Sequence, residues 1–222
     1  MTAKRGDTVQ ESQVRIHGLK IHVREVGAGW PVLLINGIGA HTAMWQPLES
    51  VLGDGFRLIE FDAPGTGQSD TPLAPMPVWA MARVAAKVLE HIGVEQADVL
   101  GYSLGGLVAQ QLAVSAPQRV RRLVLAATTP GWGGIPGDPM AMLNVLTPLR
   151  YWFPGFYRRT VGSMAGGRAR SDPAWVQRQG ELRQRHPPST RGYVVQVMGA
   201  GAFLGIRILP RITQPTLVIC GD

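Results

Sequence analysis

Residues 97–114 read ADVLGYSLGGLVAQQLAV. The opening run Ala97 to Tyr102 has the short, apolar character of a buried strand, and Leu104 to Ala116 has the composition of a helix. Between them stands Gly101-Tyr102-Ser103-Leu104-Gly105, followed by Gly106. A serine at a tight strand-to-helix corner projects its oxygen above the sheet, and the backbone there needs small neighbours two positions to either side. Gly101 and Gly105 supply them. The helix that starts at Leu104 also turns free N–H groups and the positive end of its dipole toward negative charge developing nearby. The plain alternative is a serine in an ordinary strand-to-helix turn, since G-x-S-x-G is short; the flanking strand and helix are the context that favours the reactive reading.

Working outward, QVRIH (13–17) and KIHVREV (20–26) predict a hairpin turning at Gly18-Leu19. Val32 to Ile35 predicts a strand buried on both faces. TAMWQPLESVLG (42–53) predicts a helix with Met44, Trp45, Leu48, Val51 and Leu52 on its apolar face and Gly53 as its stop. Arg57 to Phe61 predicts a strand entering the glycine-rich loop DAPGTGQSD (62–70). VWAMARVAAKVLEHIG (78–93) is amphipathic and capped by Gly93, while Arg122 to Ala127 and Thr216 to Cys220 predict two further strands. Alternating strands and helices imply an α/β protein, a mainly parallel sheet with helices on both faces after an antiparallel opening. About 85 residues separate the last two strands, far beyond an ordinary crossover. We therefore expect a core of residues 1–128 and 214–222 carrying an inserted helical lid over 129–213.

Composition narrows the class. With 222 residues, 45% apolar and 17% charged, the chain fills one domain and is not intrinsically disordered. Its lone cysteine, Cys220, excludes an intramolecular disulfide, and no histidine shows metal-ligand spacing, so neither metal nor cofactor is implied. The N-terminus lacks the apolar core of a secretory signal and no run approaches a bilayer span, which leads to the expectation of a soluble cytoplasmic protein. The net charge of +7 is concentrated: residues 129–213 hold eleven arginines against three acids, together with nine of the fifteen aromatics. These form no recognised nucleic-acid module, so no nucleic-acid partner is expected. The arginines fit either an anionic storage-granule surface or a compositional preference for Arg over Lys, which stand at nineteen to three. The aromatics fit either an acyl pocket above Ser103 or the buried face of a helical lid.

Asn36-Gly37-Ile38-Gly39-Ala40 follows the strand VLLI directly. It reads either as a hairpin turn, which Asn-Gly favours, or as a loop whose Ile38 N–H faces the serine. With the Leu104 N–H this second reading gives two oxyanion donors, each worth roughly 10² to 10³ in rate. At this point the chain resembles the α/β hydrolases, with GYSLGG as nucleophile elbow and NGIGA as oxyanion loop. Within that superfamily it is most similar to the intracellular poly(3-hydroxyalkanoate) depolymerases, through LLINGIGAHTAMWQP (33–47), FDAPGTGQSDTP (61–72), LVLAATTPG (123–131) and PTLVICGD (215–222). Leu104 stands where those depolymerases tend to carry Trp.

The resemblance implies a serine ester hydrolase acting through an acyl-enzyme at Ser103, with an ester or polyester substrate and the granule surface as partners. Serine needs a histidine to take its proton and a carboxylate to orient that histidine. The resemblance places the acid three residues after the glycine closing the seventh strand, here Gly221, and the histidine later still. Asp222 is one residue after it and is not assigned. His17, His22, His91 and His186 sit in unsuitable segments, and His41, the least implausible, reads as a helix-capping or substrate-facing residue. The expectation is a chain cut before its last strand and helices, nearly inactive alone and prone to aggregate through the Thr216 strand. A general carboxylesterase, a carbon-carbon bond hydrolase of the same fold and an inactive binding protein on the scaffold remain as alternatives.

Overall fold

The computed structural model describes residues 9–52, 55–134 and 138–221. Gly53, expected to stop the first helix, and Asp222 lie outside them. Among the described residues seven strands form one sheet: β1 (Val9–Ile16), β2 (Leu19–Val26), β3 (Trp30–Ile35), β4 (Phe56–Phe61), β5 (Ala97–Tyr102), β6 (Val120–Ala126) and β7 (Thr216–Ile219). Their spatial order is β1-β2-β4-β3-β5-β6-β7, and every pairing from β4 to β7 is parallel. β1 and β2 pair antiparallel with each other, and β2 with β4, as the opening hairpin implied. Its turn is His17-Gly18 rather than Gly18-Leu19: both residues have positive φ (50° and 81°), as a two-residue turn matched to strand twist requires.

Strand alternation divides the apolar residues between two faces. Leu33, Ile35, Ile59 and Phe61 join the larger core cluster with α2 (Val78–His91) and α3 (Leu104–Ser115). Leu34, Leu58 and Val26 face the opposite way, against Trp45 and α1 (Gln46–Leu52). The segment 42–52 opens as a 3-10 turn before α1, and α1 packs through Leu48 and Leu52, leaving Val51, expected on the apolar face, 78% exposed. α2 ends as its sequence predicts, with Gly93 at φ 72° and Val94 N–H bonded to the Leu89 carbonyl.

Between β6 and β7 run α4 (Pro139–Leu146), α5 (Leu149–Trp152), α6 (Pro154–Met164), α7 (Arg168–Ser171), α8 (Pro173–Gln184) and α9 (Thr190–Ala200). β7 pairs with β6 through Leu123↔Thr216 to Ala126↔Ile219, and its Leu217, Val218 and Ile219 are exposed. Among the described residues no helix is long and apolar enough to cross a membrane.

Candidate active site

The order β4-β3-β5 places the ends of β3 and β5 side by side, with Ile35 opposite Gly101 in register. The chain winds away from this seam in both directions, so the loops after β3 and β5 face one crevice at the carboxyl edge of the sheet. Ser103 and the segment Asn36 to Ala40 occupy those two loops.

Ser103 has φ 53° and ψ −119°, a conformation an L-residue adopts only when its surroundings enforce it. The enforcement is visible. Ser103 N–H donates to the Ala126 carbonyl at 3.0 Å, and its own carbonyl accepts from Gly106 N–H at 2.8 Å and from Thr128 Oγ1 at 2.7 Å. The glycines on either side have no room for a side chain. A Cβ on Gly101 would strike the Gly105 carbonyl oxygen and the Ala109 side chain, and one on Gly105 would strike the Ile35 carbonyl oxygen and come within 2.7 Å of the Asn36 oxygen. Ser103 itself is half-buried, immediately before α3, whose first residue Leu104 has an N–H with no acceptor in the preceding turn.

The loop after β3 lies against this corner: a Cβ on Gly37 would stand 3.2 Å from Ser103 Cβ. Asn36-Gly37 does not make a hairpin turn. The Gly37 carbonyl accepts from Ala40 N–H at 3.1 Å, closing a turn whose third residue, Gly39, has φ 71°. The Gly37 carbonyl thus points into the turn, so the N–H across the same trans peptide, that of Ile38, points out of it. Buried Asn36 brackets the loop, accepting from Gly37 N–H at 3.1 Å and donating from Nδ2 to the His41 carbonyl at 3.0 Å. Among the described residues, neither the Ile38 nor the Leu104 N–H has a hydrogen-bond acceptor.

None of the five histidines hydrogen-bonds to the Ser103 hydroxyl among the described residues. His41 holds the N-cap position of the 3-10 turn Thr42–Trp45, where its carbonyl accepts from Met44 N–H at 3.0 Å and its side chain makes no capping bond; it is fully buried, with Nε2 3.0 Å from the Leu182 carbonyl and its ring edge-on to His186. Burial lowers its pKa, with a smaller downward push from His186 and an opposing pull from Asp62. His22 is buried on β2 with Nδ1 3.1 Å from Asp62 Oδ2, and that hydrogen bond raises its pKa against the effect of burial. Asp62 is the hub of the loop after β4, accepting also from Thr42 N–H at 2.7 Å and Gln68 N–H at 2.9 Å. No group of His, Cys, Asp and Glu suited to a metal occurs among the described residues.

The aromatics of residues 129–213 divide. Tyr151, Tyr157, Tyr193 and Phe203 are buried, whereas Trp132, Trp152 and Phe153 are exposed. Tyr151 and Tyr193 direct their hydroxyls to the carbonyls of Ile38 and Val145. A cavity of about 130 Å³ lies between Pro77, Trp79, Phe203, Leu204 and Ile208, away from Ser103. Thr128, Arg150, Tyr151 and Gln196, which brace the elbow and the neighbouring loop, carry no motif that singles them out in sequence.

A parallel sheet with a strained serine at its carboxyl edge defines the class, and the chain belongs to the α/β hydrolase fold family, which it matches over residues 31–189. Among particular proteins it is similar to the poly(3-hydroxyalkanoate) depolymerase of Ectopseudomonas oleovorans, 36% identical over 197 residues, which are 86% of this chain and 67% of that protein. Other curated relatives are matched over 30% to 55% of their length. Solved structures that share the fold include two hydrolases. A hydrolase from Pseudomonas aeruginosa is 28% identical with a TM-score of 0.77, covering 95% of this chain and 80% of that one. A thermophilic esterase from Thermogutta terrifontis is 26% identical with a TM-score of 0.75, covering 95% and 79%.

Proposed function

We propose that this protein is a serine ester hydrolase whose substrate is intracellular poly(3-hydroxyalkanoate). The single observation that carries the reading is Ser103 at φ 53°, held at the start of α3 against Gly37. In the proposed reaction Ser103 Oγ adds to the ester carbonyl carbon and its proton passes to a base. The Ile38 and Leu104 N–H groups receive the oxyanion, which collapses and expels the alkoxide, and the alkoxide takes up that proton. Water then adds to the acyl-enzyme and releases a hydroxy acid and the serine hydroxyl. The base is not one of the histidines engaged as described above. The choice of substrate rests on similarity to the depolymerase, and a cytoplasmic, granule-associated location is proposed on the same ground.

The test is labelling of the full-length protein with a fluorophosphonate ester, alongside acid release from poly(3-hydroxyalkanoate) granules and from a short p-nitrophenyl ester. Modification at Ser103 and hydrolysis of both substrates, all lost in Ser103→Ala, is the expected result. Hydrolysis of the small ester alone would replace the polyester by a general carboxylesterase substrate. Unaltered hydrolysis in Ser103→Ala would remove the nucleophile.

A further inference from the structure

We infer that the helices between β6 and β7 set the geometry of the oxyanion loop, with Arg150, Tyr151 and Gln196 as positioning residues that clamp the Ile38–Gly39 peptide from both ends. This deepens the proposed function and rests on its assignment of the Ile38 N–H.

The carbonyl end of that peptide accepts from Tyr151 Oη at 2.6 Å and from Arg150 Nη2 at 3.4 Å, both from α5. The other end, Gly39 N–H, donates to Gln196 Oε1 on α9 at 2.9 Å. All three residues are more than nine-tenths buried, at 6%, 3% and 1% exposure for Arg150, Tyr151 and Gln196. Each is fixed further along. Arg150 Nη1 donates to the Asn144 carbonyl at 2.8 Å, and Gln196 Nε2 donates to the Pro64 carbonyl at 3.1 Å. The rings of Tyr151 and Tyr193 close against Gly39, where a Cβ would come within 2.9 Å of both.

The clamped peptide is the central one of a four-residue turn, and its rotation separates one turn type from the other. Rotation would carry the Ile38 carbonyl away from two donors and Gly39 N–H away from its acceptor, and it would disturb the adjacent Gly37–Ile38 peptide that presents the Ile38 N–H. A donor fixed before substrate arrives needs no reorganisation when charge develops, which is the source of oxyanion-hole catalysis. The composition of the clamp is itself informative. A buried guanidinium is costly unless paired, and among the described residues no carboxylate lies within ion-pair distance of Arg150. Its charge is met by two carbonyls and by the faces of Tyr151 and Tyr193, at 5.1 and 5.6 Å. An apolar side chain would fill the same space at less cost, but it would leave the Ile38 carbonyl with one donor fewer.

The experiment compares Tyr151→Phe, Gln196→Met and the double variant with the parent, in the full-length protein. It measures kcat and KM on a p-nitrophenyl ester, affinity for a trifluoromethyl ketone that forms a tetrahedral oxyanion adduct, and the melting temperature. Each single change is expected to lower kcat about tenfold, a fraction of the 10² to 10³ that a whole donor is worth, with KM within twofold. Trifluoromethyl ketone affinity should fall by the same factor as kcat. Because both side chains act on one peptide, the double variant should lose about as much as either single one, not the product of the two. Losses that multiply, losses confined to KM, or a kcat loss without weaker ketone binding would overturn the inference. If Tyr151→Phe fails to fold, Gln196→Met carries the comparison of kcat with ketone affinity alone. Ser103→Ala separates the two readings: activity that survives it defeats the proposed function, whereas activity lost in Ser103→Ala but intact in both clamp variants defeats only the clamp. A parent that neither hydrolyses the ester nor binds the ketone overturns both.

Discussion

Replacing Gly105 by alanine adds one methyl group where the start of α3 already lies against the backbone at the end of β3. The new Cβ would fall on the Ile35 carbonyl oxygen and 2.7 Å from that of Asn36. Both are backbone atoms, so no side chain can swing away to relieve the contact, and α3 must separate from the end of β3. Overpacking of this kind costs about 1–3 kcal/mol, and here the upper end applies because the obstacle is a strand in the centre of the sheet. For a chain of this size about 3 kcal/mol lowers the melting temperature by about 6–12 °C. The same separation moves Ser103 from Gly37, and a displacement on the order of 1 Å costs about 10² in rate. The internal control is Gly155→Ala. Gly155 is the second residue of α6 with nothing within 4 Å of the added methyl, and the exchange should leave the melting temperature at or slightly above that of the parent through helix propensity. Thermal melting and ester hydrolysis of the two variants provide the comparison. A Gly105→Ala protein that melts with the parent and keeps its turnover would refute the close-approach argument, because the same methyl would then be harmless in both places.

Leu33→Ala, in a central strand and fully buried, should cost about 2–5 kcal/mol in urea unfolding. Glu60, buried on β4 beside Arg24, has its pKa pushed up to about 8 from an ordinary 4.5, by burial first and Glu49 second, against the pull of Arg24. The folded protein therefore holds a proton that the unfolded chain has lost between those values, and stability falls as pH rises through that window; Glu60→Gln should flatten the slope in urea titrations. His22 acts in a neighbouring range: Asp62 raises its pKa above the ordinary 6.5, so its stabilising contribution is full below 6.5 and disappears as pH rises through the folded value. His22→Gln should remove that dependence, and NMR titration of the ring should give a midpoint above 6.5; one below it would contradict the Asp62 contact. Ser103→Gly should end hydrolysis yet melt no lower than the parent, since glycine relieves the positive φ worth about 1–3 kcal/mol.

The parts of this fold that were legible in sequence are those dictated by local periodicity and by glycine. The α2 stripe from Val78 to Leu89 is buried as its spacing implies, and Gly101 and Gly105 have no room for a side chain, as a tight strand-to-helix corner requires. Val51 lies beside the partly buried pair Leu48 and Leu52 on α1, and apolar spacing does not reveal that this short helix buries only the narrower stripe. The placement of residues 36–40 was half legible. Asn36-Gly37 favours a hairpin locally, and only the parallel pairing of β3 with β5 and the contacts from α5 and α9 turn the loop toward Ser103. His41 looked available because it follows that loop, but its burial comes from α8, 141 residues away in sequence. Arg150, Tyr151 and Gln196 were invisible for the same reason: their partners are set by tertiary packing across more than 100 residues.

Among the described residues three non-glycine residues have positive φ, and their surroundings separate strain with a local cause from strain without one. His17 is accounted for by its hairpin, where the turn type demands it. Ser103 and Ala127 have no such local cause, yet they are linked. Ala127, at φ 46°, follows β6 and donates its N–H to Ile219 on β7. The bend it makes delivers Thr128 to the Ser103 carbonyl, with the Thr128 side chain in the space a Cβ on Gly106 would need. One strained residue thus holds the other in place. Strain persists only where surrounding structure over-determines it, and it collects where geometry serves chemistry. The pair is therefore best read as one device spanning β5, β6 and β7. Thr128→Val removes the hydroxyl donor while keeping the branched shape, so it should reduce hydrolysis more than stability; a variant that loses stability but no turnover would make Thr128 a packing residue and uncouple the two strained corners.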